Sequence, residues 1–194
     1  LWRFISRMLP VADVCLISDY GKGVITGSLC QETIALARRL KKPVVVDPKG
    51  TDYAKYKGAT AVTPNKAEAA LAVNAEISTE EDIFRIGRLL LDELDCRAVV
   101  ITRGEEGVSL VERCGFAIGI PALSRAVHEV TGAGDTMVAT LALALAAGIN
   151  CAVAAYLGNC AAGVVVGKMG TERLTPAELL GALEEASSTL LQSA

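Results

Sequence analysis

The sequence lacks the clustered cysteines and histidines that hold zinc in proteins. It contains one histidine, His128, and none of its six cysteines belongs to a Cys-x-x-Cys pair. Structural zinc sites need four clustered Cys or His ligands, so we expect no zinc site. Most of the cysteines lie beside alanine, valine or leucine, and no secretory signal opens the sequence. We therefore expect reduced thiols and a cytoplasmic location.

An excess of positive charge is also lacking. The sequence contains 19 Lys and Arg residues and 22 Asp and Glu residues, which gives a net charge of −3 at pH 7. Without a basic stripe to meet phosphates or anionic headgroups, neither nucleic acid nor a membrane is an expected partner, whereas a small anionic ligand is compatible with the sequence. The length of 194 residues and the 52% of hydrophobic residues predict one globular domain or part of one.

One long stretch carries no charge. Residues 136–167 are 32 consecutive uncharged positions, which is enough for a membrane span on length alone. Gly-Ile-Asn at 148–150 and Asn159 interrupt the stretch. We predict two buried helices joined by a turn, with a membrane span as the alternative.

The first half of the chain alternates short apolar runs with helical patterns. This alternation predicts an α/β fold with a mainly parallel sheet. Residues 107–127 change to the short β runs typical of antiparallel edge strands, and the chain is predicted to be helical after residue 134. Thr175 and Glu178 form the capping box of the last helix. The predicted strands are 11–17, 44–46, 59–62 and 98–102, and the helices between them are 28–40, 66–73 and 79–94.

Polar or glycine-rich segments follow all four of these strands. Ligands of open α/β sheets bind at the carboxyl ends of the strands, so this edge is predicted to be functional. The segments are residues 18–23, 47–50, 63–68 and 102–107.

Residues 131–135, Thr-Gly-Ala-Gly-Asp, lead into an apolar helix. The unpaired amides of a first helical turn and the positive end of the helix dipole make an anion site, which small residues leave open to a ligand. Asp135 would take the proton of an attacking hydroxyl while the amides of Gly132, Ala133 and Gly134 stabilise charge on a phosphoryl group. The alternative is a glycine-rich loop whose Asp135 only satisfies the helix N-terminus. Local physics leaves both interpretations open.

Residues 129–135 also resemble the C-terminal signature of the ribokinase-like (PfkB) carbohydrate kinases, usually Asp-Thr-x-Gly-Ala-Gly-Asp. Residues 65–68 resemble the family's Asn-x-x-Glu motif, 102–107 its nucleotide-binding strand end, and 159–163 the helix that borders the adenine. The resemblance covers essentially the whole chain. It implies a ribokinase-like three-layer sandwich whose N-terminal part is missing, with residues 1–194 as the C-terminal nucleotide-binding and catalytic portion of one domain.

Three further segments are similar to the D-glycero-β-D-manno-heptose 7-phosphate kinases of that family: residues 18–23, 46–53 and 164–171. This similarity implies ATP-dependent phosphorylation of the anomeric hydroxyl of a sugar phosphate, in ADP-heptose biosynthesis. Some members carry an adenylyltransferase domain, which nothing in this sequence resembles. Two alternatives stay open: another ribokinase-like kinase acting on ribose or a fructose phosphate, and a noncatalytic nucleotide-binding remnant that pairs with another chain.

The resemblance implies roles for individual residues. Asp135 is the expected base, with Gly132, Ala133 and Gly134 as the anion hole. Glu68 is expected to hold Mg²⁺ through water, because Mg²⁺ keeps most of its waters in proteins. Beside Asn65, which would orient phosphate oxygens, the expected nucleotide-binding residues are Lys49, Lys66, Ala67, Thr102, Gly104, Gly107 and Asn159. The expected sugar-binding residues are Asp19 and Lys22.

Several of these residues have plainer interpretations. Lys22 and Lys49 are equally consistent with solvated loop lysines, Asp19 with a residue that shapes its turn, and Gly104 and Gly107 with a hairpin turn.

A monovalent cation such as K⁺ is a further implication, bound around Glu129 and Thr131. Glu129 replaces the usual Asp of the signature, so the longer side chain puts this cation site, but not the base, in doubt. His128 is expected at the surface, and a homodimer is left open.

The start of the sequence and the missing N-terminal half leave three explanations open: a fragment, a truncated gene and a naturally shortened protein. The chain begins at Leu1 rather than at methionine, within what resembles an amphipathic helix. Loss of the strands that such kinases have in their N-terminal half would leave a hydrophobic sheet edge unpaired. We therefore expect the isolated chain to be poorly stable and prone to aggregate.

Overall fold

The computed structural model describes residues 1–123, 131–168 and 173–192, except for the side chains of residues 187–192. Its strands are β1 (Cys15–Ser18), β2 (Val44–Asp47), β3 (Ala61–Val62), β4 (Ala98–Thr102), β5 (Val108–Glu112) and β6 (Ala117–Ile120). They form one sheet in sequence order, in which β1 to β4 are parallel and β5 and β6 are antiparallel. The predicted α/β fold with a mainly parallel sheet is confirmed.

Helices cover both faces of the sheet. They are α1 (Trp2–Met8), α2 (Gly27–Arg39), α3 (Lys66–Ala72), α4 (Glu80–Leu94), α5 (Ala133–Ala146), α6 (Cys151–Val166) and α7 (Pro176–Gln192). Val44 and Val46 of β2 belong to a core with α2, α3 and α4, whereas Val45 between them belongs to a core with α5 and α6. Successive side chains of a strand leave opposite faces, so an unbroken valine run suits a sheet that is buried on both sides. The result is the predicted three-layer sandwich.

The long uncharged stretch forms α5 and α6, which pack against each other. Gly148 lies in the turn between them with a φ of 80°, a backbone conformation that favours glycine. Among the described residues, no helix has the length and apolar character needed to cross a membrane. The prediction of two packed helices joined by a turn is confirmed.

Two strand predictions were wrong at their boundaries. The strand expected at 11–17 begins at Cys15, because Leu9–Val11 forms a turn of 3₁₀-helix. Pro10 lies in the first turn of that helix, where its missing amide proton breaks no hydrogen bond. The strand expected at 59–62 contains only Ala61 and Val62, since the side chain of Thr60 accepts the amide of Val44 at 2.9 Å.

The predicted capping box of α7 is present. The amide of Thr175 donates to Glu178 Oε2 at 2.8 Å, and the amide of Glu178 donates to Thr175 Oγ1 at 3.3 Å. These two bonds satisfy donors that a helix start leaves unpaired, which explains why α7 begins at Pro176.

The cysteines are free thiols, as expected. Four of the six are buried: Cys30, Cys96, Cys151 and Cys160. Burial raises the pKa of the Cys30 thiol to about 11 and that of Cys96 to about 12, so both are neutral, apolar core residues.

The exposed side chain on β1 provides a test of the expected aggregation. Among the described strands β1 pairs only with β2, and Leu16 is 40% exposed. Leu16→Lys should reduce aggregation of the isolated chain, because a charged side chain disfavours addition of a strand to an open edge. We expect the free energy of unfolding to change by less than about 0.5 kcal/mol, as is usual at a surface position. Light scattering during heating measures the first effect and urea denaturation the second.

Leu143→Lys is the matched control, because Leu143 is 67% exposed but lies on α5 rather than on a strand. An equal reduction of aggregation by Leu143→Lys would contradict the role of the β1 edge.

Candidate active site

The parallel strands bring the predicted polar segments to one edge of the sheet. Ser18 at the end of β1 lies opposite Asp47 at the end of β2, and a bridge pairs Asn65 with Thr102 at the end of β4. The segments that follow β1, β2, β3 and β4 therefore open on the same side, as the sequence predicted.

Asp19 lies buried just after β1 and is held by three donors. Its Oδ2 accepts Lys55 Nζ at 2.6 Å and the Tyr56 hydroxyl at 2.8 Å, and its Oδ1 accepts the Gly21 amide at 2.8 Å. Burial acts against the charge, but these bonds and the positive charge of Lys55 outweigh it and hold the pKa of Asp19 below its usual value. This carboxylate ties the turn after β1 to residues 55–56. A contact with sugar stays a prediction, and the turn-shaping interpretation has direct support in the Gly21 bond.

Glu68 and Asn65 form a capping box at the start of α3. The Asn65 amide donates to Glu68 Oε2 at 3.0 Å, and the Glu68 amide donates to Asn65 Oδ1 at 2.9 Å. Lys49, which follows β2, donates its Nζ to Glu68 Oε1 at 2.7 Å. This bond, with the charge of Glu68, raises the pKa of Lys49. The motif predicted to bind Mg²⁺ and phosphate thus also starts a helix and joins two strand ends, while its binding roles stay predictions.

Within the described part of the chain, no side chain caps the first turn of α5. Its N-cap is Gly132, whose φ of 81° lies in the left-handed region, and the first amide bonded within the helix is that of Thr136, which donates to the Gly132 carbonyl at 2.9 Å. The amides of Ala133, Gly134 and Asp135 precede that bond, so they can donate to an anion. The sequence placed the anion site on the amides of Gly132, Ala133 and Gly134, whereas Gly132 is the N-cap and the first turn presents the amides of Ala133, Gly134 and Asp135. Anion binding at this turn stays a prediction.

Asp135 is exposed in this first turn. Its Oδ1 lies 3.5 Å from the hydroxyl of Tyr20, at the outer limit of a hydrogen bond. Tyr20 follows β1, so the candidate base is open to a bound substrate and lies beside the loop that Asp19 holds.

The turn between β4 and β5 supports the hairpin interpretation of its glycines. Gly104 and Gly107 have φ values of 63° and 90°, and the Arg103 amide donates to the Gly107 carbonyl at 2.8 Å. A Cβ on Gly107 would lie 2.1 Å from the Ile120 carbonyl oxygen. Close packing against the end of β6 therefore requires glycine at residue 107.

The remaining residues that were predicted to bind nucleotide differ in their burial and in their contacts within the protein. Asn159 is 5% exposed, and its Nδ2 donates to the Pro121 carbonyl at 2.8 Å, which holds the chain as it leaves β6. The Thr102 amide donates to the Pro64 carbonyl at 2.9 Å, and Lys66 Nζ lies 3.4 Å from Glu106 Oε2. Their contacts with nucleotide stay predictions.

Three other predicted residues make no contact with described residues that assigns them a role. Ala67, Lys22 and Thr131 are exposed. Lys22 has no hydrogen bond or ion pair with the residues that the structure describes. Glu129, like His128, lies outside the described residues.

The structure adds Asp47, Lys55 and Tyr56 to the site. Asp47 is half-buried at the end of β2, where burial first, and then the charges of Glu68 and Asp135, raise its pKa to about 6. Its place after three valines was the available sequence signal. Lys55 and Tyr56 carried no such signal, because they reach Asp19 across 36 and 37 residues of chain.

The charges at this edge fit a hydrated divalent cation. Asp47 lies within the electrostatic influence of the Glu68 and Asp135 carboxylates, and Lys49 supplies one positive charge. Among the described residues, no three Asp, Glu, His or Cys side chains are grouped closely enough to hold a metal ion directly. Mg²⁺ often keeps several waters and shares the oxygens of substrate phosphates. The residues therefore fit Mg²⁺ held through water and nucleotide rather than in a protein cage.

Comparison with known sequences decides the family. The sequence model described as pfkB family carbohydrate kinase matches residues 7–178. The chain belongs to this family. A relative from Geobacter sulfurreducens, named Bifunctional protein HldE, is 53% identical to this chain over 171 residues. These residues are 88% of this chain and 35% of the relative. The Bifunctional protein HldE of Geotalea uraniireducens is 45% identical over 183 residues, which are 94% of this chain and 37% of that relative. This pfkB family chain thus spans about a third of the length of these curated relatives.

Solved structures show the same fold. Phosphofructokinase-2 from Escherichia coli in complex with potassium has a TM-score of 0.82 at 20% identity, covering 96% of this chain and 62% of that one. Ribokinase from Arabidopsis thaliana complexed with ribose and ATP has a TM-score of 0.81 at 20% identity. The match covers 92% of this chain and 58% of the ribokinase. The pfkB family chain therefore has the ribokinase-like fold that the sequence predicted.

The raised pKa of Asp47 predicts that Asp47→Asn stabilises the chain at neutral pH in the absence of ATP and Mg²⁺. The folded-state pKa of about 6 lies above the value of about 3.9 expected in the unfolded chain. Between these values the folded state keeps a proton that the unfolded state has released, so stability falls as pH rises through that window. Asn carries no charge, and its gain at pH 7.5 should be on the order of 1–3 kcal/mol after allowance for partial exposure.

Urea denaturation at pH 4 and pH 7.5 measures this gain, which should be small at the lower pH. Asp52→Asn, at an exposed position in the same loop region, is the control and should show no such difference. A gain for Asp47→Asn that is equal at both pH values would contradict the assignment.

Proposed function

We propose that residues 1–194 are the C-terminal nucleotide-binding and catalytic portion of one carbohydrate kinase domain. The reaction is transfer of the γ-phosphoryl group of ATP to the anomeric hydroxyl of D-glycero-β-D-manno-heptose 7-phosphate, in ADP-heptose biosynthesis. The observation that carries the proposal is the exposed Asp135 on the uncapped first turn of α5, beside the acidic strand ends. The heptose acceptor rests on the three segments similar to heptose 7-phosphate kinases and on the likeness to HldE proteins.

Asp135 acts as the base in this proposal. Its carboxylate takes the proton of the acceptor hydroxyl while that oxygen forms a bond to the γ-phosphorus. The bond from the γ-phosphorus to the bridging oxygen breaks, and ADP leaves with the electron pair of that bond. The amides of Ala133, Gly134 and Asp135 donate to the oxygens of the group in transfer, where negative charge is spread.

Asp47 and Glu68 face the nucleotide phosphates in the proposed complex, with Glu68 acting through water on Mg²⁺. When bound, Mg²⁺ supplies positive charge that neutralises the phosphate oxygens. Lys49 keeps Glu68 in place through their 2.7 Å bond, and Asn65 fixes the other carboxylate oxygen of Glu68 through its amide.

Four further proposals come with this function. Asp19 and Lys22 contact the sugar, a monovalent cation binds near Glu129 and Thr131, the protein acts in the cytoplasm, and two copies of it form a homodimer. The solved phosphofructokinase-2 named above is a complex with potassium, which supports asking for a K⁺ dependence of the rate.

Asp135→Asn tests the base. Asn cannot take a proton, so kcat should fall roughly 10²- to 10⁴-fold. Because Asp135 is exposed, the free energy of unfolding should change by less than about 0.5 kcal/mol. The measurement is ADP release from ATP·Mg²⁺ with heptose 7-phosphate, on this chain and, where a longer gene product contains it, on that product.

Asp92→Asn is the matched control, at an exposed position near the end of α4. Unchanged turnover in Asp135→Asn would overturn its role as base. Transfer to ribose or to a fructose phosphate but not to the heptose would replace the acceptor. ATP binding without transfer to any of them would favour the noncatalytic remnant.

Gly134→Ala tests the anion hole without disturbing the fold. Gly134 and Gly181 both lie in helices, and a Cβ on either meets no described atom within 4 Å. Alanine in place of helical glycine stabilises by up to about 1 kcal/mol. In Gly134→Ala the new methyl group occupies space beside the amides of the first turn, so kcat should fall roughly 10²- to 10³-fold while stability is kept.

Gly181→Ala, in α7, should give the same stability change with full activity. Paired melting curves and initial rates compare the two variants. Full activity in a folded Gly134→Ala protein would exclude close approach of phosphate to this turn.

A further inference from the structure

A cleft lies at the edge of the sheet opposite Asp135. It opens between the residues that precede β2, β3 and β4 and the turn that joins α5 to α6, and its volume is about 430 Å³. Sites for small metabolites commonly have volumes of about 300–1,000 Å³. None of the residues that line this cleft is Asp or Glu, and three of them are cationic: Lys41, Lys42 and Arg97.

These three cations have little compensation from the protein. Lys41 and Arg97 are exposed and form no ion pair within the described part of the chain. Lys42 Nζ lies 3.7 Å from Asp13 Oδ1, which is longer than a charge-assisted hydrogen bond, and the Asp13 side chain is 85% exposed. Like charges that converge on one cleft repel each other, and a bound anion would remove that repulsion.

The backbone at Lys41 adds a separate observation. Lys41 follows the end of α2 with a φ of 56°, in the left-handed region where glycine is favoured. The Lys41 amide donates to the Arg38 carbonyl at 3.1 Å, and the Lys42 amide donates to the Ala37 carbonyl at 2.9 Å. Glycine would close this turn with less strain. The lysine side chain is therefore present at the mouth of the cleft although its positive φ disfavours any residue other than glycine.

The rest of the lining is suited to a phosphate with an organic part. Thr60 Oγ1 accepts the Val44 amide at 2.9 Å, which leaves its hydroxyl proton to donate, and Asn150 Oδ1 accepts the Val153 amide at 2.9 Å, which leaves its Nδ2 to donate. Leu145 and Ile149 add apolar surface beside these donors.

We propose that this cleft binds a small phosphate-bearing metabolite. Lys41, Lys42 and Arg97 contact the phosphate, and Leu145 and Ile149 contact the organic part. A phosphate is favoured over a carboxylate because it carries a negative charge of about two, which compensates three cations better than a single negative charge does. The site lies across the sheet from the phosphoryl-transfer site, so binding here is separate from the proposed reaction.

Amide chemical shifts of the ¹⁵N-labelled 194-residue chain test the proposal at constant ionic strength. The probes are inorganic phosphate, ribose 5-phosphate, AMP and citrate. The amides of Lys42, Thr60 and Ile149 should shift and saturate with an organic phosphate at lower concentration than with inorganic phosphate. Tighter binding of ribose 5-phosphate would identify a sugar phosphate as the ligand class, and tighter binding of AMP would identify a nucleotide.

Two variants remove cations by different means. Arg97→Gln and Lys41→Gly should each raise the Kd about tenfold, and Lys41→Gly should keep or increase stability because glycine suits the left-handed turn. Arg88→Gln, which removes an exposed arginine from α4, should leave the Kd unchanged.

Three results would overturn the proposal. One is unchanged binding in Arg97→Gln and Lys41→Gly, which would leave Lys41 and Lys42 only as cations at the negative end of α2. Another is an equal effect of Arg88→Gln, which would indicate general charge screening. The third is citrate or inorganic phosphate saturating as tightly as both organic phosphates.

Discussion

Parallel backbone pairing of β1 to β4 sets the position of every functional group discussed above. Each of these strands ends at the same edge, and the helices that follow return the chain to the other edge. Register then decides which residues meet, as with Ser18 and Asp47 or Asn65 and Thr102. The buried Asp19, the paired Glu68 and the first turn of α5 are brought together because the loops that carry them open on one side. A register shift of one residue would turn alternate side chains to the other face.

The carboxyl groups at this edge differ in how the protein compensates their charge. Asp19 receives three hydrogen bonds, which hold the loops around it and keep its pKa below the usual value. Asp47 lies in an environment of burial and negative charge, and its pKa rises to about 6. A group of this kind destabilises the free protein at neutral pH and becomes favourable beside a cation. A carboxylate that lowers the free energy of unfolding, as Asp47 does at neutral pH, is typical of a site that binds a ligand rather than one that stabilises the fold.

Helix α5 connects the two edges of the sheet. Its 14 residues span about 21 Å, with Asp135 in the first turn and Leu145 near the last. Between these ends its apolar face packs on Val45, Val100 and other strand residues, so the helix is anchored along its length. The acidic edge and the basic cleft are therefore separated by a dry layer. Opposite charges can occupy the two ends of one small fold because that layer keeps them apart.

Local patterns were sufficient to predict much of this protein from its sequence. The order of strands and helices, the α7 capping box, the polar strand ends and the glycine-rich helix start at residues 132–135 all depend on neighbours within a few residues, so they can be read from the chain. The boundary errors at Cys15 and Ala61 arose where a 3₁₀-helix and the Thr60 side chain competed with strand formation. Contacts between distant residues were beyond such patterns, because chain register alone brings them together. Only the tertiary structure decided that Lys55 and Tyr56 hold Asp19, that Lys49 pairs with Glu68, that the pKa of Asp47 rises to about 6, and that Lys41 and Arg97 meet at one cleft.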